Sequence, residues 1–202
     1  MLKSRWDDLI VVSEEIEYAV QGELVNGRVL ISDEKAIDEL TKKGYGERDG
    51  KQYFLQLYEA LYLLHVNKIT VKHKNGIIDF DKLVDVSLKH DKEAWTRFLV
   101  YRDLRSRGYV AKEGFGFGVD FRVYERGEYG NKSAKYVAFG INEGTEMRID
   151  KLNDAIEQIG RMGKEAVIAV IERRGEVIYY KVVRMRFVDH KNSFDFASIN
   201  EK

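Results

Sequence analysis

The sequence predicts two tandem domains: an α+β N-terminal domain, then an α/β C-terminal domain with a mixed central sheet. Three observations predict it. Hydrophobic residues fill 44% of the 202 positions and charged residues 34%, which supports packed cores and excludes a disordered or low-complexity chain. Short strand-like runs alternate with helical periodicity along most of the chain. A polar run, Lys89-His90-Asp91-Lys92-Glu93, separates two apolar-patterned halves. It divides the chain into a domain over 1–90, a domain over 91–188 and a polar tail over 189–202.

In the first half, residues 23–31 read as two strands around Asn26-Gly27, a strong hairpin signal. Ser32-Asp33 can cap a helix from Glu34, with Ala36, Ile37 and Leu40 on one face and a stop at Gly44. Residues 53–64 are apolar on most sides and predict a helix central to a core. Residues 69–73 and 77–80 flank Lys74-Asn75-Gly76 as a second hairpin, and Asp81 opens a helix carrying Leu83, Val84, Val86 and Leu88.

In the second half, Trp95, Phe98, Leu99, Tyr101 and Leu104 fit a helix stopped by Gly108. Strands are expected over 109–112, 118–124 and 135–139, then an amphipathic helix over 149–161 with Leu152, Ile156 and Ile159 inward. Residues 166–171 form a continuous apolar run, the pattern of a strand covered on both faces. The turn at 172–176 leads into a long β-branched and aromatic strand over 177–187.

Composition narrows the function classes. The chain has 34 Lys+Arg and 34 Asp+Glu, so an RNA partner requires positive charge that is local or supplied by another subunit. There is no cysteine, which excludes disulfides, thiolate metal sites and a cysteine nucleophile. The four histidines, His65, His73, His90 and His190, are scattered with no metal-ligand spacing, so neither a metal nor another cofactor is expected. No apolar run approaches the roughly 18 residues that span a bilayer. Asp7, Asp8, Glu14 and Glu15 flank the short N-terminal apolar stretch, unlike a signal peptide, so a cytoplasmic protein is expected.

Chemistry-bearing residues are densest between Tyr101 and Lys135. Arg102, Arg105, Arg107, Arg122 and Arg126 alternate with aromatics, a pattern suited to phosphate contact and base stacking, though composition alone favours a solvated helix face beside core aromatics. Asp120 with Ser133-Ala134-Lys135 has the outline of a metal-nuclease motif, but the required acid is serine.

Tyr101-Arg102-Asp103-Leu104-Arg105-Ser106-Arg107-Gly108-Tyr109, the glycine-rich Gly114–Gly118 turn and Asp120-Phe121-Arg122-Val123-Tyr124 resemble the signature of the archaeal tRNA-intron (tRNA-splicing) endonuclease family. Residues 57–63, 164–170 and Tyr179-Tyr180 extend the likeness across most of the chain. The resemblance implies metal-independent RNA cleavage that leaves a 2′,3′-cyclic phosphate and a 5′-hydroxyl. A tyrosine acts as base, a histidine as acid and a lysine stabilises phosphoryl charge. Carried onto this chain, the tyrosine is Tyr124 and the lysine Lys164, while the histidine position, three before Tyr136, holds Ser133. Neighbouring registers offer Lys132 or Ala134, and no imidazole.

The family's arginine seven residues before the lysine corresponds to Glu157, and its acidic docking loop to the charge-balanced Glu172-Arg173-Arg174-Gly175-Glu176. The resemblance therefore implies the structural subunit of a heterotetramer acting on precursor tRNA with a catalytic paralogue. Arg122, Arg126 and Lys135 are expected at the RNA; Glu172, Glu176, Tyr179, Tyr180 and Val182 are expected at a subunit interface. Two alternatives stay open: a catalytic subunit with a substituted or removed acid, which could pair with a second copy of itself as a homo-oligomer, and a non-enzymatic RNA-binding module.

Overall fold

The structure, a computed structural model, describes residues 16, 19–74, 76–116 and 120–185. The N-terminal sheet contains β1 (Val20–Val25), β2 (Arg28–Ile31), β3 (Glu47–Asp49), β4 (Gln52–Leu55), β5 (Ile69–His73) and β6 (Gly76–Ile78) in the order β3-β4-β2-β1-β5-β6. Only β1 and β5 pair in parallel. The β1–β2 turn uses Asn26 and Gly27, both at positive φ, as a tight two-residue hairpin requires. Helices α1 (Glu34–Lys42), α2 (Leu57–His65) and α3 (Phe80–His90) accompany this sheet.

Two expectations are corrected here. Residues 53–55, read as helical, belong to β4, whose Tyr53, Phe54 and Leu55 pair with Ile31, Leu30 and Val29. The helix begins at Leu57, where the Glu59 carboxylate accepts from the Gln56 N–H at 2.9 Å, so strand pairing outweighs continuous apolarity in the segment before it. Likewise α3 is capped by Asp79, not opened at Asp81; the Asp79 carboxylate accepts from the Lys82 N–H at 2.9 Å. Strand β3 was not anticipated; its Glu47, Arg48 and Asp49 are all exposed, a charged edge that resists pairing with another chain.

The C-terminal sheet contains β7 (Val110–Glu113), β8 (Asp120–Tyr124), β9 (Tyr136–Asn142), β10 (Glu165–Ile171) and β11 (Val177–Val182), ordered β11-β10-β9-β8-β7. It is mixed, as expected: β9 and β10 are parallel, the other pairs antiparallel. The parallel pair is joined by α5 (Ile149–Arg161), whose buried Ile159 packs with Val137, Phe139 and Ala166. Helix α4 (Ala94–Ser106) crosses the other face. Strand β11 ends at Val182, five residues short of the expected end; residues 183–185 carry no regular structure, and the rest of that run, with the 189–202 tail, lies outside the described residues. Gly118, where the preceding strand was expected to start, also lies outside them.

The sheets share one core across the seam. Tyr58 of α2 lies 4.9 Å, ring to ring, from Tyr101 of α4 and 5.2 Å from Phe121 of β8, and Tyr62 lies 5.8 Å from Tyr101. Tyr101 and Phe121 are fully buried; Phe121 contributes about 1.5–3 kcal/mol relative to exposure, whereas part of the gain at Tyr101 is offset because its hydroxyl is buried with no hydrogen-bond partner among the described residues. Buried Glu59 is satisfied from both sides of the seam, accepting from the Gly46 and Gln56 N–H groups and meeting Lys112 Nζ of β7 at 3.5 Å. No helix among the described residues is long and apolar enough to cross a membrane.

Candidate functional site

Strand topology gathers the expected site residues. Tyr124 ends β8, Ser133 precedes β9 and Lys164 precedes β10. Because β8 runs antiparallel to β9 while β9 and β10 are parallel, the end of one strand meets the beginnings of two others. The register shows it: Tyr136 is paired with Val123 on one side and Glu165 on the other. The Lys135 N–H donates to Val123 O and the Glu165 N–H to Lys135 O, each at 3.0 Å. Lys164 Nζ donates to Ala134 O at 2.6 Å, tying its charge to the residue after Ser133.

Tyr124 and Ser133 line one open cleft of about 620 Å³. Tyr129, from the intervening loop, meets the Tyr124 ring edge-on at 5.0 Å. Burial raises the Tyr129 phenol pKa, so this hydroxyl holds its proton more tightly than an exposed one. Lys132 also lines the cleft, and the opposite wall is Thr41 and Lys42 at the end of α1. Neither N-terminal residue was expected, because nothing local in the sequence joins residue 42 to residue 124. Tyr129 stands between Gly127 and Gly130, both at positive φ, a turn pattern that offered a partial signal.

The basic cluster divides. Arg105 is a correction: it is buried, its guanidinium 3.9 Å from the Tyr45 ring centre and donating to Lys43 O at 3.0 Å. Arg102 donates to Gly175 O at 3.2 Å, and Arg107 pairs with Asp103 at 2.7 Å. These three join parts of the protein together. Arg122 donates to Glu113 O at 2.7 Å, while exposed Arg126 lies over Tyr109 at 5.3 Å. Lys135 forms a 2.7 Å ion pair with Glu125; their hydrogen bond raises the lysine pKa and lowers the carboxyl's. Glu157 contacts Arg161 at 2.7 Å and Arg184 at 3.4 Å, so its charge is compensated.

The expected interface residues also divide. The Glu172 N–H donates to Glu176 O at 2.9 Å, closing a tight turn. Tyr179 packs against the core with Arg107 over its ring at 5.8 Å, and burial pushes its phenol pKa upward; it faces inward, contrary to an outward docking role. Tyr180 and Ile178 are exposed, and Val182 is half-buried at the strand end.

Comparison with known proteins agrees with both domains. A family model described as the tRNA intron endonuclease N-terminal domain matches residues 20–84, and one for the catalytic C-terminal domain matches residues 94–179. The chain belongs to the tRNA intron endonuclease family. A Methanococcus vannielii protein named tRNA-splicing endonuclease is 33% identical over 164 residues, covering 81% of this chain and 93% of the relative. A Pyrococcus furiosus protein of the same name is 34% identical over 173 residues, covering 85% and 98%. A third, from Thermococcus onnurineus, is 31% identical over 177 residues, covering 87% and 100%. The endonuclease-family match thus spans both sheets and the strand ends that form the cleft.

Proposed function

We propose that this chain is the supporting subunit of a tRNA-splicing endonuclease, holding a histidine-bearing paralogue in register on precursor tRNA. The observation that carries this reading is Ser133, in the same cleft as Tyr124. Cleavage forms a bond from the 2′-oxygen to phosphorus and breaks the bond from phosphorus to the 5′-oxygen. Tyr124 is the base for the 2′-hydroxyl proton and Lys164 the cation for phosphoryl charge. The leaving 5′-oxygen also needs a proton, and serine does not titrate near neutral pH. The described histidines sit in the N-terminal domain, with the His65 ring tilted against Phe80 and edge-on to Phe98; His190 lies outside the described residues.

Two further parts belong to this reading. The domain boundary falls at 90/91. The edge of β11, which no described strand pairs, is with Tyr180, Ile178 and Val182 the surface for pairing with another subunit, and the Glu172–Glu176 turn sits at its start. Arg126 and Arg122 serve RNA beside the cleft, with Lys135 available when RNA displaces Glu125.

Retention of Tyr124 and of the Lys164–Ala134 contact favours a second reading, a catalytic subunit using another acid. One experiment separates them. The purified chain is incubated with bulge-helix-bulge RNA, alone and with a histidine-bearing paralogue. Cleavage only with the paralogue supports the supporting role; efficient metal-independent cleavage by the chain alone refutes it. Tight RNA binding with no activity under either condition indicates a binding module.

A further inference from the structure

We propose that Lys42 of the N-terminal domain contacts RNA phosphate in the Tyr124 cleft, so that the RNA backbone is gripped between the two domains. This rests on reading that cleft as an RNA site. The first observation is local charge. The chain carries 34 cationic and 34 acidic side chains, yet the cleft is lined by Lys42 and Lys132 and by no carboxylate. Lys132 is shared with Glu128 at 3.1 Å, whereas Lys42 is exposed and makes no ion pair with a described residue.

The second observation is that the backbone carrying Lys42 is fixed first within its own domain and then to the C-terminal one. Thr41 Oγ1 donates to Tyr53 OH at 3.1 Å, and Tyr53 OH donates in turn to Tyr45 O. Burial pushes the Tyr53 phenol pKa up to about 12, which keeps this donor protonated. Arg105 donates to Lys43 O at 3.0 Å. Gly44 lies so close to β7 that a Cβ there would overlap Val110 and stand 3.1 Å from the Tyr129 ring. The lysine is therefore an exposed cation on a fixed mount, lining the cleft with Tyr129 and Ser133. Phosphate contact between such groups is electrostatic and independent of base sequence. A lysine in the last turn of α1 also favours the helix dipole, and the test separates that role.

Fluorescence anisotropy measures binding of the full chain, assembled with its histidine-bearing paralogue, to bulge-helix-bulge RNA across a potassium chloride series. Lys42→Gln is expected to weaken binding about three- to tenfold and to lower the salt slope of log Kd by roughly 0.7–0.9, the signature of one lost phosphate contact. Lys35→Gln, about two turns away at the other end of the same helix and outside the cleft lining, leaves both unchanged. Unchanged affinity and slope in Lys42→Gln, while Lys132→Gln weakens binding, overturns the proposal and leaves the cleft as an RNA site. Loss of thermal stability in Lys42→Gln with RNA binding intact assigns the residue to the helix end, which also overturns it. If the complex with the wild-type chain binds no RNA, the reading beneath it falls as well.

Discussion

Ser133→His should convert the cleft from an incomplete site into a cleaving one. With Ser133 at the acid position as proposed, the substitution places an imidazole where the leaving oxygen needs a proton, on a segment already held in position. Lys164 Nζ grips Ala134 O at 2.6 Å, and the Lys135 N–H bonds Val123 O at 3.0 Å, so the new ring starts from a fixed backbone beside Tyr124. General acid catalysis contributes about 10²–10⁴-fold, equivalent to roughly 2.7–5.5 kcal/mol of barrier at ~1.36 kcal/mol per tenfold. Ser133 is exposed, so the larger side chain needs no cavity and should not disturb folding. The assay is single-turnover cleavage of bulge-helix-bulge RNA in excess chelator, with the ends analysed for 2′,3′-cyclic phosphate and 5′-hydroxyl. The variant's rate should acquire a descending limb above pH ~6.5, where imidazole loses its proton. Ser133→Gln, which adds bulk without an acid, should stay at the wild-type rate. Equal rates for wild type and Ser133→His, both abolished by Tyr124→Phe, would show that this site already has its acid and refute the reasoning.

The remaining predictions concern the fold and its edge. Gly44→Ala combines a left-handed φ of +73° with overlap at Val110, and should cost roughly 2–4 kcal/mol; a urea midpoint shift worth under about 0.5 kcal/mol would contradict that packing. Burial, reinforced by Arg102, lowers the His65 pKa from 6.5, so the unfolded chain takes up this proton first. Its contribution is present above pH 6.5 and lost as pH falls through that value towards the lower folded pKa. Melting between pH 7.5 and 5.5 should be flatter in His65→Gln, and identical slopes would exclude the effect. Tyr180→Lys on the exposed β11 edge should reduce self-association or association with a paralogue in size-exclusion chromatography, with little change in stability. An unchanged elution profile would place the subunit contact elsewhere.

Much of the fold was legible because its signals were local. Asn26-Gly27 announced a hairpin, Asp33 a helix start, and the Leu152, Ile156 and Ile159 spacing an amphipathic helix. The β4 segment was not legible, because Tyr53-Phe54-Leu55 is apolar without a diagnostic period and its state depends on pairing with β2. The Gln56–Glu59 capping pair was the available clue that the helix starts later.

By itself the sequence determined the family signature from Val100 to Tyr124, the two-domain pattern and the serine at 133, since each is a matter of residue type at fixed spacing. Only the tertiary structure decided what those residues touch. Arg105 turned inward because Tyr45 and Lys43 O were waiting across the seam, and Tyr179 because alternate residues of β11 face the core. Lys42 and Tyr124, remote in the chain, came to one cleft because a shared aromatic core holds the two sheets together. Spacing along a chain encodes local conformation, whereas burial and charge placement follow from packing between segments that no local pattern connects.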